Sequence, residues 1–451
     1  MIREKLREKG LGHVKVEEVA LGGTLDLGPF HIELITLTHS IPEPNGLAIT
    51  TPLGVILHTG DWKIDPDPIL GAPTDSDRIR RLGDDGVLAM ICDSTNVFVD
   101  GTAGSEADVR TALDKLIGEQ RGKVAVACFA SNVARMDSVC RAAVANGRRV
   151  CLVGRSMHRI SAAAKSVGLL KGLPEFVAEN DANSFPDDKI LYCCTGSQGE
   201  ARAALSRIAE GTHHHVSLGE GDVVIFSSRQ IPGNELAIGR LQNRLSELGV
   251  RIHTPEEHPG IHVSGHPCRD ELAQMYQWAR PQIAVPTHGE RRHLVEHAAF
   301  ARDMQVPQAI ATRNGEMIRL APGRAQVIDE VPSGRLYVDG ATLTPEHGPA
   351  LRERRHASTD GMLIVSMAVD GKGRMVGELD VRSIGLAEDA AHPLDEALDE
   401  LAELAEDAVK KLGRAAADEE AVEAAVARAL KRASQRLFDR RPIVETVVLR
   451  V

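Results

Sequence analysis

The sequence predicts a mixed α/β protein built from more than one domain, and three observations carry that expectation. Between residues 105 and about 255, short apolar runs of strand character alternate with amphipathic helical stretches, the pattern of a mostly parallel sheet covered by helices. On both sides of that block the chain turns to short strands parted by glycine and proline. Finally, 451 residues are too many for one ordinary domain, while 43% hydrophobic and 26% charged residues match an average globular composition.

The elements follow in order. Residues 1–104 open with a short charged helix that lacks the apolar core of a signal peptide. Strands are expected at 32–37 and 55–57, set off by Gly22-Gly23, Asp26-Leu-Gly28 and Pro52-Leu-Gly54, as in a meander. The apolar run at 87–91 ends in Asp93-Ser-Thr-Asn96. Asp93 there is either an acid delivered by a strand or a plain turn cap. Residues 105–255 hold strands at 124–127, 149–153, 189–193 and 223–226, with helices at 132–146, 157–167, 200–209 and 235–248. Residues 256–340 return to short strands and turns around a helix at 270–279 and a strand at 283–286. Residues 341–451 form a last unit. Runs at 362–369 and 374–381 flank Asp370-Gly371, a hairpin signal. Helices at 394–412 and 418–438, each with one apolar stripe, and a strand at 442–449 follow.

Chemistry-bearing residues gather at the edges of these elements. His262-Val-Ser-Gly-His266 and Pro286-Thr-His288-Gly-Glu290 place two glycine-flanked histidines 22 residues apart, on either side of one helix. Upstream, His39 and Asp61 each follow an apolar strand run and are also 22 residues apart. Strand ends present side chains from a rigid scaffold. Imidazole and carboxylate are donors that borderline divalent ions such as zinc accept. Taken singly, each histidine reads as a structural hydrogen-bonder; the matched loop contexts point to a shared site. Two polar glycine loops precede helices, Thr195-Gly-Ser-Gln-Gly-Glu200 and Ser227-Ser-Arg-Gln-Ile-Pro-Gly-Asn234. Such loops offer backbone N–H groups to phosphate, although many only turn the chain. His213-His-His215 reads as a solvated loop.

A net charge of −11 excludes global electrostatic steering toward nucleic acid. Any RNA contact must then be a local groove. Only 3% of residues are aromatic, which argues against extensive base stacking. Seven cysteines, an odd number with no C-x-x-C pair, make neither a disulfide framework nor a cysteine zinc site. That usage suits a reducing cytoplasm. No run of about 18 apolar residues is present, so no membrane span is expected.

Along the chain, Thr38-His39-Ser-Ile-Pro42, Thr59-Gly60-Asp61, Asp93-Ser-Thr-Asn96, Gly196-Ser-Gln-Gly199, Phe226-Ser-Ser228, Ile231-Pro-Gly-Asn234, His262-Val-Ser-Gly-His266 and His288-Gly-Glu290 resemble, in order, the motifs of the ribonuclease J family. That family is the β-CASP branch of the metallo-β-lactamase fold. The resemblance covers essentially the whole chain. It implies an αββα metallo-β-lactamase domain, incomplete toward its N-terminus, at 1–104 and 256–340. A β-CASP α/β domain interrupts it at 105–255, and a small α+β C-terminal domain occupies 341–451. The interruption lets Asp61 and His288, 227 residues apart, share one site.

By the same resemblance, His39 is a ligand of one zinc, Asp61 the carboxylate bridging two zincs, and His288 a ligand of the second. His266 resembles the histidine that gives a proton to the leaving oxygen, and Asp93 the acid that orients the site. His262, Val263, Ser264, Gly265 and His266 resemble the pocket for a terminal phosphate; Gly196 and Ser197 join the substrate-binding set. The implied activity is zinc-dependent hydrolysis of single-stranded RNA, both 5′-to-3′ and internal, with a 5′-monophosphate preferred. The implied protein is a cytoplasmic homodimer or homotetramer.

Two departures qualify that picture. The family's His-x-His-x-Asp-His motif is absent from these 451 residues, and the chain is expected to begin after it, inside the metallo-hydrolase domain. His39, Asp61 and His288 alone cannot fill two four-coordinate sites, so poor zinc binding is expected. Pro267-Cys268 stand where the family carries small residues. The second expectation is therefore a catalytically inactive RNA-binding or scaffolding protein that keeps the β-CASP groove. A small-molecule metallo-hydrolase is disfavoured, because such a substrate needs no α/β domain with phosphate-type loops.

Overall fold

The computed structural model describes residues 2–388 and 393–451, which divide into two units, 1–331 and 332–451. In the first, α1 (Ile2–Glu8) leads to β1 (Thr24–Leu27), β2 (Phe30–Thr36), β3 (Asn45–Thr51), β4 (Gly54–His58), α2 (Ser76–Asp85) and β5 (Val87–Asp93). Next come α3 (Glu106–Gly118), β6 (Val124–Ala127), α4 (Val133–Ala145), β7 (Arg149–Val153), α5 (Arg155–Ser166) and β8 (Ile190–Cys194). They are followed by α6 (Ala204–Ala209), β9 (Val223–Phe226), α7 (Glu235–Glu247) and β10 (Arg251–His253). The unit closes with α8 (Arg269–Ala279), β11 (Ile283–Thr287), α9 (Arg291–Asp303), β12 (Gln308–Ala309), β13 (Glu316–Arg319) and β14 (Gln326–Glu330).

One sheet runs β1-β2-β3-β4-β5-β11-β12. Its first three pairings are antiparallel; those from β4 to β12 are parallel. β5 and β11 are neighbours in space, although a complete second sheet lies between them in sequence. That second sheet, β10-β9-β6-β8-β7, is parallel throughout. The sequence explains the contrast. Val124–Ala127, Ile190–Cys194 and Val223–Phe226 are apolar runs buried at every position, as parallel strands covered on both faces must be. Asn45–Thr51 alternates in burial along most of its length, because one face meets the core and the other does not.

The first sheet sets one face against helices. Leu57, Met90 and Ala284 pack with Ile79 and Leu82 of α2, Leu272 and Met275 of α8, and Phe300 of α9. On the opposite face Ala89, Ile283 and Val285 meet Ile318 of β13 and Leu320.

The second unit contains β15 (Leu336–Asp339), β16 (Thr342–Pro345), α10 (Pro349–Asp360), β17 (Met362–Val369), β18 (Asp380–Ile384), α11 (Leu394–Leu412), α12 (Glu419–Phe438) and β19 (Ile443–Arg450). β17 is central, antiparallel to β18 and parallel to β19. Its inward residues Leu363, Val365 and Met367 pack on Leu401, Ala405 and Val409 of α11 and Val422, Val426 and Leu430 of α12. Those spacings of four residues are the apolar stripes expected of amphipathic helices.

The structure departs from the sequence expectation in specific places. It adds α2, α3, α9 and α10. The stripe Val109, Leu113, Leu116, Ile117 on α3 is a plain helical signal. The buried face of α9 includes His297 and two alanines, so its apolar periodicity is faint. α6 starts at Ala204 rather than near 200, because Thr195 draws the loop back through the amides of Ala204 and Leu205. The expected strand at 374–381 is displaced to Asp380–Ile384. The Asp370 carboxylate accepts the amides of Lys372 and Arg374, making a wider turn with Gly373 at φ 77°.

One glycine sets a helix contact. A β-carbon on Gly83 of α2 would lie 2.2 Å from the carbonyl oxygen of Trp278, at the end of α8. Helix propensity favours alanine over glycine by about 1 kcal/mol. Overpacking against fixed backbone costs about 1–3 kcal/mol. Gly83→Ala is therefore expected to destabilise the first unit despite its better propensity. Urea unfolding followed by fluorescence of Trp62 and Trp278, both buried in this core, checks the sign.

Candidate functional site

Parallel strands deliver the reactive residues to one edge. Asp93 ends β5 and pairs with Thr287 of β11, so His288 begins the loop beside it. Asp61 follows β4, the other parallel neighbour of β5. β2 points the same way as β4, two antiparallel steps off, and His39 follows it. Four loops thus leave the carboxyl edge, where α/β sheets place ligands. His266 arrives from the loop that leads into α8.

Asp61, Asp93, His266 and His288 present donor atoms that all lie within 4.8 Å of one another. Asp93 Oδ2 is 2.6 Å from His266 Nδ1. Asp93 Oδ1 accepts the amide and hydroxyl of Thr95 at 2.9 and 2.7 Å. His288 Nδ1 is 2.9 Å from Asp61 Oδ1 and 3.6 Å from Asp93 Oδ1. Burial pushes the Asp93 carboxyl up, but its hydrogen bonds and opposite charges from His266 and His288 outweigh burial and hold it well below the usual carboxylate range. The hydrogen bond from His288 also lowers Asp61, against burial. In return, Asp61 and then Asp93 raise the His288 imidazole to about 10. His288 has φ 53°. For a residue with a β-carbon that conformation costs about 1–2 kcal/mol, and such strain clusters at functional sites.

The donor set fits a divalent metal ion. Carboxylates and imidazoles are the oxygen and nitrogen donors such ions take, and the His288 proton points to the Asp61 carboxylate with Asp93 beyond it, where a cation can replace it. His39 stands at the edge of the group, its ring centroid 5.1 Å from that of His266. Its Nδ1 donates to the Gly265 carbonyl at 2.5 Å, leaving Nε2 with the lone pair. A ligating histidine is commonly fixed in this way. Burial first of all lowers the His39 pKa, which favours the neutral ring. Gly265 permits the approach, since a β-carbon there would lie 2.3 Å from Ser40 Oγ and 2.6 Å from His39 Cε1.

The adjoining stretch 262–266 lies among cations. Burial, then the charges of Arg135, Arg229 and Lys63, drive His262 down to about 3. His262 is therefore neutral and accepts at Nδ1 from Arg135 Nη1, 3.2 Å away. Ser264 Oγ accepts from Asn96 Nδ2 at 2.8 Å and from the His266 amide at 3.1 Å; its own hydroxyl proton remains to be donated. Val263 packs on an apolar core instead of facing these groups.

Several residues that matter here lie outside the motifs or were not singled out within them. Arg135 is 1% exposed and pairs with Glu106 at 2.9 Å, while also donating to Ser227. An arginine on the buried face of α4 was the available signal. Arg229 donates to Asn96 Oδ1 at 3.0 Å. Buried Glu271 accepts the amides of Ile64, Ala103 and Cys268, tying together three loops that frame the site.

Gly196 and Ser197 are not brought to the Asp–His cluster. They line a separate cavity of about 660 Å³ beyond β6, β7 and β8. His213 lines it too; its ring is 6% exposed and accepts from the Val216 amide, so this histidine is packed, not solvated. His253, Glu257 and His258 form a second donor group elsewhere. All seven cysteines are buried and free. Among the described residues, no helix is long and apolar enough to cross a membrane.

Comparison with known proteins supplies three family matches. They are "Ribonuclease J, beta-CASP domain" at residues 121–245, "Zn-dependent metallo-hydrolase RNA specificity domain" at 258–308, and "Ribonuclease J C-terminal domain" at 349–451. The chain is 43% identical over 447 residues to Ribonuclease J of Sinorhizobium meliloti, covering 98% of this chain and 78% of that protein. It is 39% identical to Ribonuclease J of Corynebacterium glutamicum over 85% of this chain and 54% of the relative. For Ribonuclease J of Mycolicibacterium smegmatis the values are 40%, 86% and 70%.

Proposed function

The chain belongs to the ribonuclease J family of metal-dependent RNA-processing nucleases, and from that membership we propose how its residues divide the work. The carrying observation is the convergence of Asp61, Asp93, His266 and His288 beside a cation-lined phosphate stretch. Zinc would be held by His39, Asp61 and His288, with two ions where the family site is complete. Zinc supplies polarisation of the phosphodiester and a water acidic enough to attack at neutral pH.

The protein residues do the rest. Asp93 holds the His266 ring at Nδ1, so Nε2 is the nitrogen that exchanges a proton with the leaving oxygen. Arg229 positions Asn96, and Asn96 positions Ser264 and the His266 carbonyl. His262, Ser264 and the Gly265 amide receive the terminal phosphate. The segments 1–104 and 256–340 form the metallo-hydrolase domain, 105–255 the β-CASP domain and 341–451 the C-terminal domain; the family matches fall within these bounds. A cytoplasmic homodimer or homotetramer with 5′-to-3′ and internal cleavage of single-stranded RNA completes the reading. The comparisons give no support to an inactive scaffold.

A terminal monophosphate presents more anionic oxygens than an internal diester and suits charge-assisted donors, whereas a triphosphate is bulkier. RNA with a 5′-monophosphate should therefore decay faster than 5′-triphosphate RNA. The double change His262→Ala, Ser264→Ala should erase that preference while sparing much of the internal cleavage. Decay of both RNA forms by both proteins is the test. Equal discrimination by the two proteins would place the pocket elsewhere.

A further inference from the structure

The cavity beyond β6, β7 and β8 has no part in the catalytic reading. Its volume of about 660 Å³ falls within the roughly 300–1,000 Å³ usual for small-molecule sites. Arg155, Arg159, Arg202 and Arg207 line it. Among the described residues, the side chains of Arg155, Arg159 and Arg202 make no hydrogen bond or ion pair. In a chain of net charge −11, three unpaired guanidinium groups around one cavity are a local inversion of sign.

The neighbouring carboxylates do not cancel it. Glu179 is engaged by the Gly154 amide and His158, and Glu200 accepts the Gln198 amide. Glu4 lines the cavity adjoining across Arg155 and Arg159 and pairs with neither. α5 opens at the cavity with no side-chain cap; the Met157 and His158 amides bond to the Gly154 carbonyl, which leaves those of Arg155 and Ser156 to face an anion. Phe129 and Ile160 add an apolar wall.

Position bears on the ligand. The order β10-β9-β6-β8-β7 puts the cavity next along the edge from Ser227, which adjoins the His262 stretch. Strands are about 4.8 Å apart, so the cavity begins one strand away. Arginine forks match phosphate oxygens, and the apolar wall suits a base or sugar. We propose that this cavity is a second nucleotide site, its arginines taking the phosphate. The nucleotide is either free or part of an RNA strand running along the edge from the His262 stretch; the second source rests on the ribonuclease reading, the first does not.

Two probes separate the sources: adenosine monophosphate and a 5′-hydroxyl tetraadenylate. Each is titrated calorimetrically into the full chain with EDTA present, so that no hydrolysis intervenes. The double variant Arg155→Ala, Arg159→Ala should weaken binding by about tenfold or more, the loss of charge-assisted contacts. Arg202→Ala, a separate residue of the lining, should weaken the same probe; adding each arginine change to His262→Ala, Ser264→Ala, which removes the terminal-phosphate pocket that the monophosphate could also enter, should weaken it again by the same factor. Weakened monophosphate binding assigns a free nucleotide; weakening confined to the tetranucleotide assigns an RNA strand. All three arginines are exposed, so the variants should fold, as circular dichroism will verify. If wild type binds neither probe, or the arginine variants bind both unchanged, the proposal is overturned. Because hydrolysis is not measured, loss of the catalytic reading would leave this result standing.

Discussion

In a protein that also carries the family's His-x-His-x-Asp-His motif, His288→Ala is expected to lower metal-dependent RNA hydrolysis by more than about 100-fold, the upper end of what outer-shell changes cost. His288 follows β11, beside Asp93 and within 2.9 Å of Asp61, so its ring is one of four donors that lie within 4.8 Å of one another. Folding should survive. The side chain is 45% exposed, and alanine keeps the β-carbon, so the backbone strain at φ 53° is unchanged. Zinc titration should show weaker binding by the variant, with an unaltered circular dichroism spectrum. Near-normal turnover and unchanged zinc affinity would remove His288 from the metal centre.

Arg135→Met should cost the first unit about 3–5 kcal/mol, the loss expected when one partner of a buried ion pair is removed. The Arg135 and Glu106 side chains are 1% and 3% exposed. Glu106 holds the guanidinium at both Nε and Nη2. Arg135 also donates to the Ser227 carbonyl and to His262. The variant leaves Glu106 charged in a site that water does not reach. Adding Glu106→Gln should recover part of the loss, because the stranded charge is gone. Since His262 loses its donor, 5′-monophosphate discrimination should fall as well. Urea unfolding followed by circular dichroism measures the first effect and paired RNA decay the second. A single-variant loss below about 1 kcal/mol would show that Glu106 finds another partner or water.

Much of the site was legible because the chemistry sits where apolar runs stop. Asp93 ends a strand, and Asp61 and His288 follow strands of the same sheet within three residues; a strand is the segment whose apolar pattern is easiest to read. The strands of the second sheet were legible for the same reason, being short and buried along their length. Helices were harder. α9 buries His297 and small residues, so its helical period hardly shows in hydrophobicity. Arg135 was invisible as a functional residue, since its partners come from residues 106, 227 and 262.

Composition, strand placement and motif order were thus determined by the sequence alone: an α/β chain with histidine and carboxylate donors at strand ends and the motifs of one family. Tertiary structure decided which donors meet. It joined Asp93 and His266 to Asp61 and His288, set His39 at the edge, and sent Gly196 and Ser197 to a different cavity. The physical reason is register. Parallel pairing of β5 with β11 brings Thr287 opposite Asp93, and that alignment depends on packing between segments separated by an entire second sheet, which no local pattern encodes.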